Sequence, residues 1–234
     1  MESRVKTWLL SFVHLFFPRL CAVCGASLQE GEEGICIKCN IGMPRTNYHL
    51  RKDNPVERLF WGKMPLERAT AYFFYHKGSD FRNILYLLKY GGRKDLGEVM
   101  GRFMAAELLP AGFFRDIDRI VPVPLHPRKQ KLRGYNQSEC IVRGISAVTG
   151  IPTDTSSVVR VKHTDTQTRK SVYERWENVD GIFEVRHPEL FKGKHILIVD
   201  DVLTTGSTTT ACADVFKGVE GIRISILTLA VANS

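Results

Sequence analysis

Long hydrophobic runs are scarce in this chain. The longest, residues 7 to 17 (TWLLSFVHLFF), falls well short of the ~20 apolar residues that a bilayer-crossing helix needs. Stable membrane insertion is therefore not expected. No small-residue cleavage site follows, because Pro18, Arg19 and Leu20 come next. The same residues stand where a lipoprotein signal would need small side chains before Cys21. The pattern predicts an amphipathic helix over residues 1–18, docked on the body of the protein, with peripheral membrane contact as the alternative. A cytoplasmic protein is the expectation. Acidic residues are also in short supply: 25 Asp and Glu face 33 Lys and Arg, a net charge of +8. A polyanionic partner follows, either a nucleic acid or a heavily phosphorylated small molecule, and charge alone does not choose between them. Nothing in the composition marks disorder, collagen or a membrane bundle, since 44% apolar and 25% charged residues are average values for globular chains. The 234 residues suffice for one α/β domain and a small appended module.

Cysteine is sparse too, yet four of the six are concentrated in two C-x-x-C turns, Cys21-Ala22-Val23-Cys24 and Cys36-Ile37-Lys38-Cys39. Paired turns of this spacing read as a four-thiolate zinc site, with Gly25 relaxing the backbone after the first. Disulfides are disfavoured without an export signal, and a redox C-x-x-C would not come as a pair lacking a βαβ context. So short a segment has little core of its own, so metal binding would supply its folding energy. All four ligands being thiolates leaves no open position for catalysis, and the zinc is expected to be structural. Glu30, Glu32 and Glu33 against Lys38 alone suit a protein contact there better than a DNA contact. Cys140 and Cys212 fall in predicted helices and read as small buried hydrophobes.

Residues 40–68 look like a connection, so we divide the chain into residues 1–18, a zinc ribbon with its connection at 19–60, and a main domain at 61–234. Periodicity in that domain predicts strands at 69–75, 117–123, 157–161, 195–199 and 223–231, and helices at 80–89, 96–109, 138–148 and 207–216. Strands alternating with helices imply a mostly parallel sheet flanked by helices.

The most informative segment is His195-Ile196-Leu197-Ile198-Val199-Asp200-Asp201-Val202-Leu203-Thr204-Thr205-Gly206-Ser207-Thr208. A buried strand runs into two carboxylates and then into a loop of small hydroxyl residues that opens a helix. Such a loop can wrap a phosphate with N–H groups and hydroxyls at the positive end of the helix. Gly206 permits close backbone approach. Asp200 and Asp201 can accept hydrogen bonds from adjacent ribose hydroxyls or support hydrated Mg²⁺. The segment resembles the phosphoribosyl pyrophosphate (PRPP) motif of type I phosphoribosyltransferases. That resemblance implies PRPP binding by Val199 to Thr208, and Mg²⁺ as the accompanying ion.

Ile120-Val121-Pro122-Val123-Pro124-Leu125 and then Lys131, Arg133, Gly134, Tyr135 and Asn136 resemble the pyrophosphate-loop region of amidophosphoribosyltransferases. Pro124, Leu125, Lys131, Arg133 and Gly134 are therefore candidate pyrophosphate contacts, with Arg133 neutralising the leaving group. The polar stretch Thr164 to Lys170 followed by Arg175 resembles the hood that closes over PRPP, with Gln167 and Arg175 as candidate contacts. Arg169 and Lys170 depart from the small residue and leucine common at that point of the family pattern.

Taken along nearly its whole length, from the cysteine turns through Leu88-Lys89-Tyr90-Gly91-Gly92 to the PRPP motif, the chain resembles the ComF (competence protein F) family. The resemblance implies a role in natural transformation, with single-stranded DNA and a DNA-translocating helicase as partners. Three functions stay open: a PRPP-binding competence factor, an active phosphoribosyltransferase using Asp200, Asp201 and Arg133 on an unidentified acceptor, and a nucleic-acid-binding module that reuses the phosphate cradle. Glutamine-derived ammonia is not expected as the acceptor, because a glutaminase needs an N-terminal nucleophilic cysteine and Met1 is followed by Glu2.

Overall fold

The computed structural model describes residues 18–161 and 181–232. The expected helix at 1–18 and the hood residues Gln167 and Arg175 lie outside the described residues, apart from Pro18. Helices α1 (Ile37–Ile41) and α2 (Pro55–Arg58) precede β1 (Arg68–Tyr75), α3 (Arg82–Tyr90) and α4 (Lys94–Leu108). Then come β2 (Arg119–Pro122), α5 (Pro127–Arg133), α6 (Gln137–Thr149), β3 (Val158–Arg160), β4 (Phe183–Val185), β5 (His195–Leu203), α7 (Ser207–Asp214) and β6 (Arg223–Ala232).

Four strands form the main sheet in the order β1-β6-β5-β2, every neighbouring pair parallel. Parallel strands covered on both faces carry continuous apolar runs rather than alternation. Accordingly, the first five residues of β5 are all buried. Strands β3 and β4 make a separate antiparallel pair. The edges of the main sheet are covered. Residues 44–46 bond alongside β1, Thr46 N–H to the Tyr72 carbonyl at 3.1 Å and Phe74 N–H to the Pro44 carbonyl at 2.8 Å. On β2, the Ile120 N–H donates to the Pro152 carbonyl at 2.9 Å.

Successive residues of β5 point to opposite faces. Leu197 and Val199 pack with Ile141, Val142 and Ile145 of α6, whereas Ile196 and Ile198 pack with Ala211, Cys212 and Phe216 at α7. The helices that follow the adjacent strands β2 and β5 thus cover opposite faces. The loops leaving the β2 and β5 strand ends therefore head for opposite faces of the sheet, and such a switch point is where open α/β sheets form a ligand crevice.

Helices α4 and α6 cross at unusually close range. Gly97 and Gly101 on one and Gly144 on the other let backbones touch. A Cβ on Gly101 would lie 3.0 Å from Gly144 Cα and closer still to the Ile141 carbonyl oxygen. The cysteine-bearing segment does not stand apart, since Cys21, Ala22, Val23, Ile35 and Met43 share one buried cluster with Tyr72, Leu85 and Leu96.

Residues 40–68 do more than connect. The Asn54 side chain accepts the N–H groups of Val56 and Glu57 and Pro55 opens α2, a complete capping box with Glu57. Val56 and Phe60 are fully buried with Ala69, Ala71 and Ile226. Helix α5 is a further departure. Its sequence, PRKQKLR, has no apolar face and reads as loop, but Pro127 at its first turn, the His126 side chain accepting the Arg128 N–H at 3.2 Å, and Gly134 at its end enclose one short helix.

Candidate functional site

Strand β5 continues two residues past the aspartates, with Asp200 paired to Thr228 and Leu203 to Val231 in β6. Both carboxylates therefore project from a rigid strand end rather than from a loop. The side chains of Val199 and Leu203 are buried, Val202 packs partly buried against the same core as Val199, and these three can offer a ligand little beyond their backbone. Gly206 follows with a left-handed φ of 78° and caps α7. It is packed from below, because a Cβ there would meet the Phe60 ring at 3.2 Å. Glycine is needed on both counts. Thr204 and Thr208 are exposed, and Thr205 Oγ1 lies 2.9 Å from Ser207 Oγ. Hydroxyls and the leading N–H groups of α7 thus gather on one turn, a donor set suited to an oxyanion.

The carboxylates are tethered from three directions. Ser138 Oγ donates to Asp200 Oδ1 at 3.2 Å, and Asp201's own N–H donates to the same oxygen at 2.8 Å. Lys89 Nζ, from α3, lies 3.2 Å from Asp201 Oδ2. Burial, reinforced by the charge of Asp201, pushes the Asp200 carboxyl up to about 7. Although part of Asp200's surface reaches solvent, its carboxyl sits among protein atoms, and desolvation governs. Burial pulls the Arg160 guanidinium down, opposed by the nearby charge of Asp200. A buried acid beside a like charge and two cations is a perturbed cluster of the kind found at ligand sites.

The β2 side of the crevice is equally fastened. Buried Asn136 donates from Nδ2 to the Val123 carbonyl at 3.0 Å and accepts the Ser138 N–H at 3.1 Å. Tyr135 Oη donates to the Leu88 carbonyl at 2.6 Å, which brings the end of α3, with Lys89, against the start of α6. Pro124 and Leu125 are half-buried just after β2, and Lys131 and Gly134 are exposed. Arg133, at the end of α5, holds its guanidinium carbon 5.7 Å from the Tyr90 ring centre. Lys89, Ser138, Arg160 and Phe60 escaped the sequence reading as site residues. LKYGG carried the only signal for Lys89, and none existed for the other three, which reach the crevice through tertiary folding.

At the other end of the described chain, the Cys21, Cys24, Cys36 and Cys39 sulfurs all lie within 4.8 Å of one another. Four thiolates at ~2.3 Å from one ion sit ~3.8 Å apart at the corners of a tetrahedron. Cys24 Sγ and Cys36 Sγ are 3.8 Å apart, so the group could hold a metal ion. Burial raises the Cys21 thiol, but N–H groups of Cys24, Cys36 and Val23 outweigh it and bring it down to about 7. Those N–H groups stabilise a thiolate, the form a metal binds. Burial and neighbouring thiols push Cys39 up, the crowding that a cation would relieve. The local acids mainly serve structure: Glu32 accepts the N–H groups of Gln29 and Ile37 at 2.7 and 2.8 Å, and Glu33 pairs with Arg102 of α4. Cys140 and Cys212 are fully buried, as their positions on apolar helix faces predict.

The family model of the phosphoribosyl transferase domain matches residues 135–234, a stretch that includes the Asn136 fastening, the carboxylate pair and the Gly206 turn. Fold and site together define a phosphoribosyltransferase-type protein. DNA utilization protein YhgH of Escherichia coli (strain K12) is 31% identical over 214 residues, covering 85% of this chain and 91% of the relative. Competence protein F of Haemophilus influenzae (strain ATCC 51907 / DSM 11121 / KW20 / Rd) is 36% identical over 110 residues, 46% of this chain and 48% of that one. Among solved structures, the allosteric regulatory enzyme of purine biosynthesis matches 56% of this chain and 26% of its own at 17% identity, with a TM-score of 0.37. The chain belongs to the ComF family of competence protein F and YhgH.

Proposed function

We propose that this chain binds PRPP in the crevice between the β5 and β2 strand ends and serves the handling of DNA taken up or used by the cell. The observation that carries this is the Asp200–Asp201 pair fixed on a strand end immediately before the left-handed Gly206 turn. Thr204 to Thr208 anchor the 5-phosphate, and the two aspartates accept the ribose hydroxyls. Lys131 and Arg133, beside Pro124, Leu125 and Gly134, face the pyrophosphate. Gln167 and Arg175 belong to the same proposal as hood contacts. Where an acceptor attacks C1, the bond from C1 to the pyrophosphate oxygen breaks and pyrophosphate leaves with the electron pair. The chain's part is positioning and charge stabilisation. Mg²⁺, when bound, would neutralise pyrophosphate charge, and a carboxylate pair is chemically suited to support its hydration shell.

The names of the relatives, DNA utilization protein YhgH and competence protein F, support a setting in DNA use; to it we add single-stranded DNA and a DNA-translocating helicase as proposed partners. The cysteine cluster holds zinc in this reading, and residues 19–60 and 61–234 serve as zinc ribbon with connection and as transferase-type domain. Among the described residues no helix is long and apolar enough to cross a membrane. Free thiols gathered for a metal suit the reducing cytoplasm. Thermal melting with and without PRPP and Mg²⁺ tests the ligand: the melting temperature should rise, and Asp200→Asn combined with Asp201→Asn should abolish the rise. A chain whose melting PRPP leaves unchanged does not bind it.

A further inference from the structure

The stretch Leu88-Lys89-Tyr90-Gly91-Gly92 carries a cation that the proposed PRPP contacts leave without a task. Lys89 stands in the last turn of α3, where the helix dipole favours a lysine whichever way its side chain runs. This one runs to the crevice: its Nζ lies 3.2 Å from Asp201 Oδ2, with the two side chains 29% and 14% exposed. An ordinary surface pair looks different. Lys192 and Glu220 meet at 2.7 Å with side chains 65% and 77% exposed, a setting in which solvent and side-chain entropy leave little net gain. Salt and water screen the partly buried Lys89–Asp201 pair much less.

The lysine also has a rigid support. Leu88 is fully buried in one cluster with Ile84 and Leu85, and its carbonyl accepts the Tyr135 hydroxyl at 2.6 Å. The next residue, Asn136, bonds the Val123 carbonyl just past β2. On the far side of Lys89, the Gly91 N–H closes α3 on the Leu87 carbonyl at 2.9 Å. The backbone of Lys89 is thereby tied to the β2 side of the crevice, while its ammonium sits on a carboxylate of β5.

Asp200 Oδ1 takes the Ser138 hydroxyl and the Asp201 N–H, and Asp201 Oδ2 takes Lys89. Among the described residues Asp200 Oδ2 and Asp201 Oδ1 have no hydrogen bond, so one oxygen of each acid stays open for one of two neighbouring hydroxyls. Two bare carboxylates would repel a ligand as anionic as a sugar phosphate that also carries a pyrophosphate. A divalent cation is one remedy. An ammonium already seated on Asp201 is another, and it leaves less negative charge there for a divalent ion to settle on. We propose that Lys89 is a positioning residue and the built-in counter-ion of the crevice: it holds Asp201 by Oδ2, leaves Oδ1 to a ribose hydroxyl, and lets the site take PRPP with a reduced need for Mg²⁺. This rests on the PRPP reading and goes beyond it by assigning the residue that sets the metal dependence of binding.

Isothermal titration of the full chain with PRPP, once in chelator and once in saturating Mg²⁺, tests it. The unmutated chain should bind in both. Lys89→Met keeps the reach of the side chain and removes its charge. With a hydrogen bond to a charged group lost, affinity in chelator should fall about 10-fold or more. Saturating Mg²⁺ should restore most of that loss, because the metal supplies the missing charge. Lys89→Arg keeps the cation and should bind in chelator well ahead of Lys89→Met. A lysine that merely braces the fold would behave otherwise, since its removal would weaken binding by the same factor with and without Mg²⁺. The inference is overturned if the unmutated chain binds PRPP only with Mg²⁺, a result that needs no variant to fold. It is equally overturned if Lys89→Met binds in chelator as well as the unmutated chain, if its loss is the same in both conditions, or if Lys89→Arg is as weak as Lys89→Met. An unmutated chain that ignores PRPP even in saturating Mg²⁺ refutes the PRPP reading itself, and this inference with it.

Discussion

Replacing Gly101 by alanine should push two helices apart and loosen the crevice at a distance. In a free helix this substitution is favourable by ~0.5–1 kcal/mol, because glycine loses more backbone freedom on folding. Here the added methyl meets Gly144 Cα and the Ile141 carbonyl carbon at 3.0 Å, with the carbonyl oxygen nearer still. Ordinary carbon contacts lie at ~3.5–4.0 Å. The obstacle is backbone, which has no rotamer to change, so α4 and α6 must separate by roughly 1 Å. Overpacking of this kind costs ~1–3 kcal/mol or more. Taking the upper end and subtracting the helix gain leaves a loss of about 2 kcal/mol, or a fall of about 4–8 °C in melting temperature at ~2–4 °C per kcal/mol. Ser138 sits in the first turn of α6, and its 3.2 Å bond to Asp200 does not survive a further 1 Å, so the PRPP-induced shift should shrink as well. Scanning fluorimetry reads both. Gly78→Ala is the control, an exposed turn position with nothing within 4 Å of the added atom. If Gly101→Ala melts within a degree of the unmutated chain, the close crossing of α4 and α6 is not as described.

Three further outcomes follow from the site and its supports. Because the Asp200 carboxyl is pushed up to about 7 from 3.8, the folded chain holds a proton between those values that the unfolded chain has released. That contribution to stability declines as pH rises through the window and is gone above it. Asp200→Asn should then melt near the unmutated chain at pH 4 and above it at pH 8; a difference that ignores pH would contradict the buried carboxyl. Cys24→Ser should drop zinc content well below the ~1 equivalent expected of a four-thiolate site and lower the melting temperature, and unchanged metal by elemental analysis would dismiss these ligands. Phe60→Ala should cost about 3–5 kcal/mol in urea titration and weaken the PRPP shift by removing the floor under Gly206. A normal PRPP shift in that variant would show that the turn needs no such support.

Much of the architecture could be read from residue order. The apolar run at 195–199 and the periodicity of Ile84, Leu85 and Leu88 place β5 and α3 within a few residues of their true bounds, because burial dictates both patterns. The strand's continuation through Asp200 and Asp201 could not be read this way. Two acids look like a strand end, but pairing with β6 as far as Leu203 overrides local preference. Nor does PRKQKLR announce a helix, since its supports are caps and not an apolar stripe. The carboxylates and hydroxyl loop are contiguous and visible as a motif. Their partners are not: Ser138 is 62 positions from Asp200, and a lone serine, lysine or arginine carries no mark of the residue it will face. Phe60 was hidden in a stretch whose Pro, Gly and basic residues suggest a linker.

The strand order has a consequence for biosynthesis. The sixth strand to leave the ribosome, Arg223–Ala232, is inserted between the first and the fifth, and nothing else among the described residues bridges those two along their length. Until it emerges, the sticky segment ATAYFFY has only its short edge cover for company. A nascent chain stalled before Arg223 would therefore hold β1 unjoined to the β5–β2 pair, a natural client for chaperones, and a nonsense mutation that removes Arg223–Ala232 should be as damaging as one far upstream.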